Sequence, residues 1–407
     1  VNASSLSTTD GAAESHPLRL MAVLCALMGF ASISTDFYLP AMPTIAQALH
    51  ADAGAMELTI AGYLVGFSIG QLFWGPIGDR FGRKRPIGVG LVLFVIGSIG
   101  CATAGSPAIM IGLRLVQACG ACSGVVLSRA MVRDLYGPER SGQMLSTLIT
   151  VMAIAPLVGP FLGGQVLALA GWRAIFWLLV AIGVITGIGL ATVPETLPVE
   201  RRSAKGPGAA LRDYALLLRD RRVLDCAMVG GFYYVGIYAY VAGSPFAFIT
   251  VHHVSAQAYG MLFAGGIVAI MLANMTNVRL LPRLGTVRLM RIGAIASAGS
   301  GSLLALSAWT GWGGLWGLVL PCFIYVGASG LIVANSMARA MSHRPQQAGA
   351  VSALLGAAQY GSGMIGSGSL SFLADGTSRP MASVIALAGL AALLGVAING
   401  AAQGRRG

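Results

Sequence analysis

Apolar residues in this chain come in long unbroken blocks, set apart by short polar or Gly-Pro turns. Twelve blocks stand at about 19–41, 55–75, 86–105, 107–131, 142–168, 172–193, 223–249, 257–278, 287–309, 314–339, 348–374 and 380–400. An α-helix needs about 20 apolar residues to cross the roughly 30 Å hydrocarbon core of a bilayer. A barrel strand needs about ten residues that alternate, and these blocks do not alternate. The pattern predicts an all-α membrane protein with twelve transmembrane helices, or spans. The longest break runs from Pro194 to about Arg222 and is densely charged. Leu211, Tyr214, Ala215 and Leu218 recur in it at helical spacing, which predicts a short amphipathic helix on the membrane surface. This linker separates two groups of six spans, giving segments 1–18, 19–193, 194–222, 223–400 and 401–407.

Composition agrees. The chain is 56% hydrophobic and only 10% charged, with a mean hydropathy of +0.77, far above a soluble domain. A net charge of +12 would suggest nucleic acid in a soluble protein. Here the cations crowd the connectors on one side. With the N-terminus inside, 23 of the 26 Lys and Arg fall in cytoplasmic segments, Arg173 and Arg379 fall outside, and Arg114 lies within a span. This asymmetry predicts cytoplasmic termini, the first 16 residues forming a polar tail with no cleavable signal.

The connector after span 2, Gly75-Pro76-Ile77-Gly78-Asp79-Arg80-Phe81-Gly82-Arg83-Lys84-Arg85-Pro86, reads as a charged hinge. It has a worn counterpart half a chain later. Asp79-Arg80-Phe81-Gly82 aligns with Pro282-Arg283-Leu284-Gly285, and Gly120 to Gly124 in span 4 with Gly327 to Gly330 in span 10. Two related six-span halves joined by a charged linker are the signature of an alternating-access transporter. The second hinge lacks the acid.

Charges inside hydrocarbon cost at least about 2.5–3.5 kcal/mol and face a cavity or a partner. In the first half these are Asp36 and Arg114. Counted along their helices, Asp36 lies about 6 Å and Arg114 about 10 Å below the outer surface, so the two are expected to meet, Asp36 as proton carrier and Arg114 as its electrostatic partner. Aromatic and amide groups within spans suit a large pocket for varied ligands. The candidates are Tyr38, Tyr63, Gln117, Tyr234, Tyr238, Asn335 and Gln359. The six cysteines, including Cys119 and Cys122, read as packing residues. His252 and His253 lack ligand-spaced partners. There is neither a phosphate-binding Gly-x4-Gly-Lys loop nor a nucleophile elbow. No metal, cofactor or enzymatic activity is expected.

Residues 75–84 closely resemble the span 2–3 signature of the major facilitator superfamily. Leu113-Arg114-Leu-Val-Gln117-Ala-Cys-Gly120 resembles its span 4 motif. Ala155-Pro156-Leu-Val-Gly159-Pro160-Phe-Leu-Gly163-Gly164 resembles its span 5 antiporter motif. Thr35-Asp36-Phe37-Tyr38-Leu39-Pro40, Arg129 to Asp134 and Ala242 to Phe246 look like the bicyclomycin/chloramphenicol-resistance (Bcr/CflA) branch of drug:proton antiporters. The resemblance implies a monomeric inner-membrane exporter of small apolar or amphipathic drugs, driven by protons. It implies a span 5 wall (Pro156, Gly159, Pro160, Gly163, Gly164) that controls leakage. It also implies a cytoplasmic latch of Gly75, Asp79, Arg80, Gly82, Arg83 and Asp134, with Asp79 facing the start of span 11 near Ala348-Gly349. A transporter of a physiological metabolite with the same fold remains the alternative, ahead of a non-transporting receptor.

Overall fold

The computed structural model describes residues 17–136, 138–203 and 207–404, so residues 1–16 and 405–407 of the expected tails lie outside the described residues. All secondary structure among the described residues is helical. Span 1 is Pro17–Asp36, followed by a 3-10 turn at Leu39–Ala41 and a short helix at Met42–Ala48. Spans 2 to 6 are Ala53–Phe81, Lys84–Thr103, Pro107–Leu135, Pro138–Ala170 and Trp172–Ala191. Span 7 is Arg221–Pro245, extended by a π-helical turn, Phe246–Val251. Ala256–Thr310 runs as one 55-residue helix, but Gly285 breaks it at φ +72, giving spans 8 and 9. Span 10 is Gly314–Gly327 continued by Ser329–His343, span 11 is Ala348–Leu373 and span 12 is Arg379–Gly404.

Among the described residues, ten helices are long and apolar enough to cross a membrane. Dividing the longest at Gly285 and adding span 11, whose Gly and Ser residues dilute its hydropathy, recovers the expected twelve. Helix starts follow local chemistry: the side chains of Asp52, Ser106 and Ser255 accept from the backbone N–H groups of Ala55, Ile109 and Ala258. The hinge is shorter than expected. Span 2 continues as helix through Gly75 and Pro76 to Phe81, so the turn shrinks to Gly82 and Arg83. Gly82 takes φ +90, a conformation that needs glycine. Gly75 faces open space and supports no close approach.

The halves repeat the same packing. Span 3 meets span 6 at Gly183 against Phe94, and span 9 meets span 12 at Gly389 against Ser297. Span 2 meets span 4 at Gly62 against Ile111, and span 8 meets span 10 at Gly330 against Asn274. Between halves, span 2 packs on span 11 and span 5 on span 8. The first hinge's Arg80, Arg83, Lys84 and Arg85 mark one end of the bundle, the basic end. At the opposite end the halves touch backbone to backbone. A Cβ on Gly54 would lie 2.8 Å from the Ser371 carbonyl, one on Gly164 3.0 Å from that of Ala256, and one on Gly260 2.6 Å from the Phe161 backbone.

The linker forms the expected helix, Pro207–Leu217. Its buried face is Tyr214 and Leu217, while Leu211 and Leu218 are exposed. Tyr214 donates to the Leu72 carbonyl (3.2 Å) and packs in a cluster with Val351, Leu354 and Leu355 of span 11. The helix therefore straps span 2 to span 11. Asp220 ends the strap: it pairs with Arg344 (2.7 Å) and His343 (3.2 Å) in the turn before span 11. Partial burial pushes its carboxyl up, but the Arg344 bond, the Arg222 N–H and His343 outweigh this and hold it below the usual range.

Close approach of spans 3 and 4 depends on Gly90, where a Cβ would overlap the Ser123 side chain, whereas Gly88 faces open space. Gly90→Val is expected to cost about 1–3 kcal/mol by overpacking and to lower the melting temperature of the detergent-solubilised protein. Gly88→Val should leave it unchanged. Thermal unfolding followed by tryptophan fluorescence checks both.

Candidate functional site

Arg114 is the largest fully buried side chain, at 0% exposure. It lies in the second turn of span 4 and points inward. Its Nη1 donates to the Ser34 carbonyl (2.9 Å) and to Gln117 Oε1 (2.7 Å), and Gln117 passes a bond to Ser98 Oγ (2.8 Å). The guanidinium lies over the rings of Tyr38 (4.5 Å) and Tyr63 (4.4 Å), a cation–π arrangement that strengthens out of water. Both hydroxyls are occupied: Tyr38 bonds Thr59 Oγ1 (2.6 Å) and Tyr63 bonds Ser34 Oγ (2.7 Å). Tyr38, Tyr63 and Gln117, expected to bind substrate, thus form the immediate shell of Arg114. Among the described residues, its Nε and Nη2 have no hydrogen-bond partner.

Asp36 is the last residue of the first helix of span 1, where the helix dipole disfavours an anion. It is 6% exposed, and its Oδ2 has no partner among the described residues. It does not meet Arg114: among the described residues no ion pair within 4.0 Å joins them. The reason is helical geometry. Residues two apart face opposite sides of a helix, and Ser34 takes the side facing Arg114. Asp36 instead packs on span 5, where a Cβ on Gly159 would stand 2.7 Å from its own Cβ. It also lies within electrostatic range of Tyr238 and Tyr259.

Span 5 approaches closely because of its glycines. Gly163 lies against the Phe37 backbone, as Gly164 does against Ala256 of span 8. Pro156 and Pro160 sit inside a continuous helix. The motif thus presses span 5 against Asp36 and Phe37 on one side and span 8 on the other.

Aromatic rings join the two halves at mid-depth. Tyr63 stacks on Phe67 (6.3 Å), Phe67 meets Tyr360 of span 11 (4.4 Å), and Tyr360 meets Tyr234 and Tyr238 of span 7 (6.1 Å each). Tyr234 and Tyr238 therefore stand where a ligand between the halves would touch them. Gln359 is buried nearby, its Nε2 unpartnered among the described residues. Asn335 is turned elsewhere, bonded through Nδ2 to Asn277 Oδ1 of span 8 (2.6 Å). Phe67, Asn277 and Glu57 were missed in the sequence. Besides Asp36, Glu57 is a second buried acid among the described residues, 6% exposed, with Oε2 unpartnered among them. Its charge inside an apolar block was the available signal.

At the basic end, Arg83 bonds Asp79 (2.6 Å) and Asp134 (2.8 Å), joining spans 2, 3 and 4. Arg80 lies exposed over Phe81. The expected contact of Asp79 with the start of span 11 is not made. The Asp79 side chain is 55% exposed and turned to Arg83, and Gly349 has open space around it. An unexpected acid completes the cluster. Glu195, just after span 6, accepts backbone N–H bonds from Arg83 (2.8 Å) and Lys84 (3.1 Å) and from Thr196 and Leu197. Gly82 is needed here twice over, since a Cβ would lie 2.5 Å from Glu195 Oε2. Burial pushes the Glu195 carboxyl up, but the four N–H bonds outweigh it and hold it below its usual 4.5.

Two pseudo-symmetric helical halves enclosing a polar and aromatic interface define a membrane transporter of small molecules. The family profile of the Major Facilitator Superfamily matches residues 23–367, and the chain belongs to that family. It is 30% identical to the chloramphenicol resistance protein of Pseudomonas aeruginosa, over 93% of this chain and 89% of that one. It is also 30% identical to a bicyclomycin resistance protein homolog of Haemophilus influenzae, over 85% and 87%. Among solved structures, a partially occluded inward-open form of the Escherichia coli xylose transporter XylE superposes with a TM-score of 0.71 at 17% identity, covering 93% of this chain and 96% of that one.

Since the folded-state carboxyl of Glu195 is depressed, its contribution to stability is complete above about pH 4.5 and fades as pH falls through the folded value. Glu195→Gln should lower the melting temperature at neutral pH, and the gap to the unaltered protein should close in more acid buffers. Melting curves of both proteins across pH 3.5 to about 8 test this sign.

Proposed function

We propose that the chain is a proton-coupled exporter of small apolar or amphipathic drugs. It works by alternating access in a bacterial inner membrane, as a monomer with both termini cytoplasmic, and uses neither cofactor nor nucleic acid. The observation that carries the reading is Asp36: a buried carboxyl with an oxygen unpartnered among the described residues, packed on the span 5 motif. A buried anion with no partner costs several kcal/mol, so this arrangement suits a carboxyl holding a proton. The names of the relatives, resistance to chloramphenicol and to bicyclomycin, supply the cargo class.

The cycle follows from which contacts are made. Glycine-lined contacts at 54/371, 164/256 and 161/260 close the outer end, while Asp79 stands exposed at the cytoplasmic end. When the protein turns outward, those outer contacts part and the cytoplasmic ends approach. Asp79 then reaches the N-terminus of span 11, where an anion gains about 0.3–1 kcal/mol from the helix dipole. Arg83 and Asp134 hold it in place. Span 5 moves with this change, and Asp36, packed on Gly159, moves from its closed setting to an outer one. There the carboxyl exchanges its proton as drug departs. One charge crossing 100 mV supplies about 2.3 kcal/mol.

In everted vesicles with a fixed pH gradient, adding chloramphenicol or bicyclomycin should dissipate the gradient, and Asp36→Asn should reduce that response and drug export at least about tenfold, the equivalent of 1.4 kcal/mol. A full response from Asp36→Asn would refute the assignment. Asp79→Asn should slow export while leaving substrate binding close to normal.

A further inference from the structure

Spans 7, 8 and 10 enclose a cavity of about 160 Å³ in the second half. Its walls include Tyr234, Tyr238, Tyr240, Phe263, Gly266 and Val326. Tyr240 is 3% exposed and its ring stacks on Phe263 (5.8 Å between centroids). Its hydroxyl has no hydrogen-bond partner among the described residues. That hydroxyl faces the cavity floor: a Cβ on Gly266 would stand 3.6 Å from Tyr240 Oη, with Phe323 and Val326 at 3.9 Å. Two of its wall residues, Tyr234 and Tyr238, also stand beside Tyr360, so the cavity adjoins the aromatic bridge between the halves.

Three properties of this cavity select a ligand. Its size suits one six-membered ring: an apolar cavity of about 150 Å³ holds benzene. Its walls offer flat aromatic faces, which favour a planar ring. At its floor is a buried hydroxyl that gains a partner only if the ligand brings one. Gly266 keeps the space open, since any side chain there grows into it.

We propose that this cavity is a side pocket for the single aromatic ring of a substrate, with Tyr240 Oη donating to a polar group on the ring. The ring class is a benzene carrying a nitro, hydroxyl or amide acceptor, while the rest of the molecule stays between the halves. Fused ring systems are too large. The proposal deepens the drug-export reading and rests on it for its physiological meaning. It divides the cargo into compounds with a single aromatic ring that use the pocket, such as the nitrophenyl compound chloramphenicol, and compounds without an aromatic ring, such as bicyclomycin, that do not.

The test needs no transport. The full chain in nanodiscs is photolabelled with 4-azidobenzyl alcohol, in competition with 4-nitrobenzyl alcohol, and the labelled peptides are identified by mass spectrometry. Saturable labelling is expected in the segments around Tyr240 and Phe263. Gly266→Val should weaken it at least about tenfold by filling the cavity, a change of 1.4 kcal/mol. Tyr240→Phe, which keeps the stack on Phe263, should weaken competition about threefold to tenfold, as loss of one hydrogen bond does. Labelling that maps elsewhere, or that is unchanged in Gly266→Val, overturns the pocket even in a chain that exports normally. Labelling that follows these expectations in a chain whose vesicles export nothing upholds the pocket and removes the export reading instead. In vesicles, Gly266→Val should impair chloramphenicol export and spare bicyclomycin; equal loss of both counts against the pocket.

Discussion

A guanidinium at 0% exposure inside a helical membrane bundle is the constraint around which the first half is built. No water reaches such a group, so the protein must supply every interaction that water would have made. Arg114 obtains those it has from three other spans. Span 1 gives the Ser34 carbonyl, span 2 the face of Tyr63, and span 3 the Ser98 hydroxyl through Gln117. Tyr38, just beyond the first helix of span 1, covers another side and is itself anchored to span 2 by Thr59. Each of these groups is held by a second bond, so they move as one body. A mobile counter-ion for Asp36 would have to leave all of them. Arg114 is better understood as the fixed cation that makes the first half rigid, against which a displacement of span 5 has meaning.

The fold was largely legible because bilayer physics writes it in large letters. Block length, the placement of cations and the half-chain repeat are each one-dimensional signals. What escaped was azimuth. Counting residues down a helix compares the depths of Asp36 and Arg114, but depth says nothing of the side a residue faces, and Ser34 rather than Asp36 took the side toward span 4. Glu195 escaped for a related reason. In sequence it is one charge among many in a polar linker, and only the fold brings four backbone N–H groups to it. The residues of the linker helix were read at helical spacing, but its buried residues are Tyr214 and Leu217, because it packs on protein and the choice of face is set by spans 2 and 11.

The two ends of the bundle are held by different chemistry. At the end opposite the basic one, glycines let backbones meet directly, a contact with no side-chain freedom to lose and a narrow range of fit. At the basic end, the attachments are longer: the strap bound to Leu72 through Tyr214, and Asp220 on Arg344 and His343. A dry backbone contact is either made or absent, whereas ion pairs near water tolerate stretching and rearrangement. The Arg83 cluster does not join the halves in the present conformation, because all its partners, Asp79, Asp134 and Glu195, belong to the first half or its margin.

The ionisable and aromatic parts of the site also lie on different halves, which constrains any coupling between proton and cargo. Asp36 belongs to span 1, and the ring pocket belongs to spans 7, 8 and 10. Coupling requires an element with two settings that both sites bias. Span 5 touches each side of the problem. Gly159 rests on Asp36, while Gly164 and Phe161 rest on Ala256 and Gly260 of span 8, and two turns further along span 8 stand Phe263 and Gly266 of the pocket. A shift of span 5 against span 8 therefore changes the packing of the carboxyl and the mounting of the pocket together. The aromatic bridge through Phe67 and Tyr360 is a second crossing, but it runs through rings with no charge to sense a proton. On these contacts the backbone-to-backbone seam of spans 5 and 8, rather than the bridge, is the element placed to couple the proposed proton site to the proposed ring pocket.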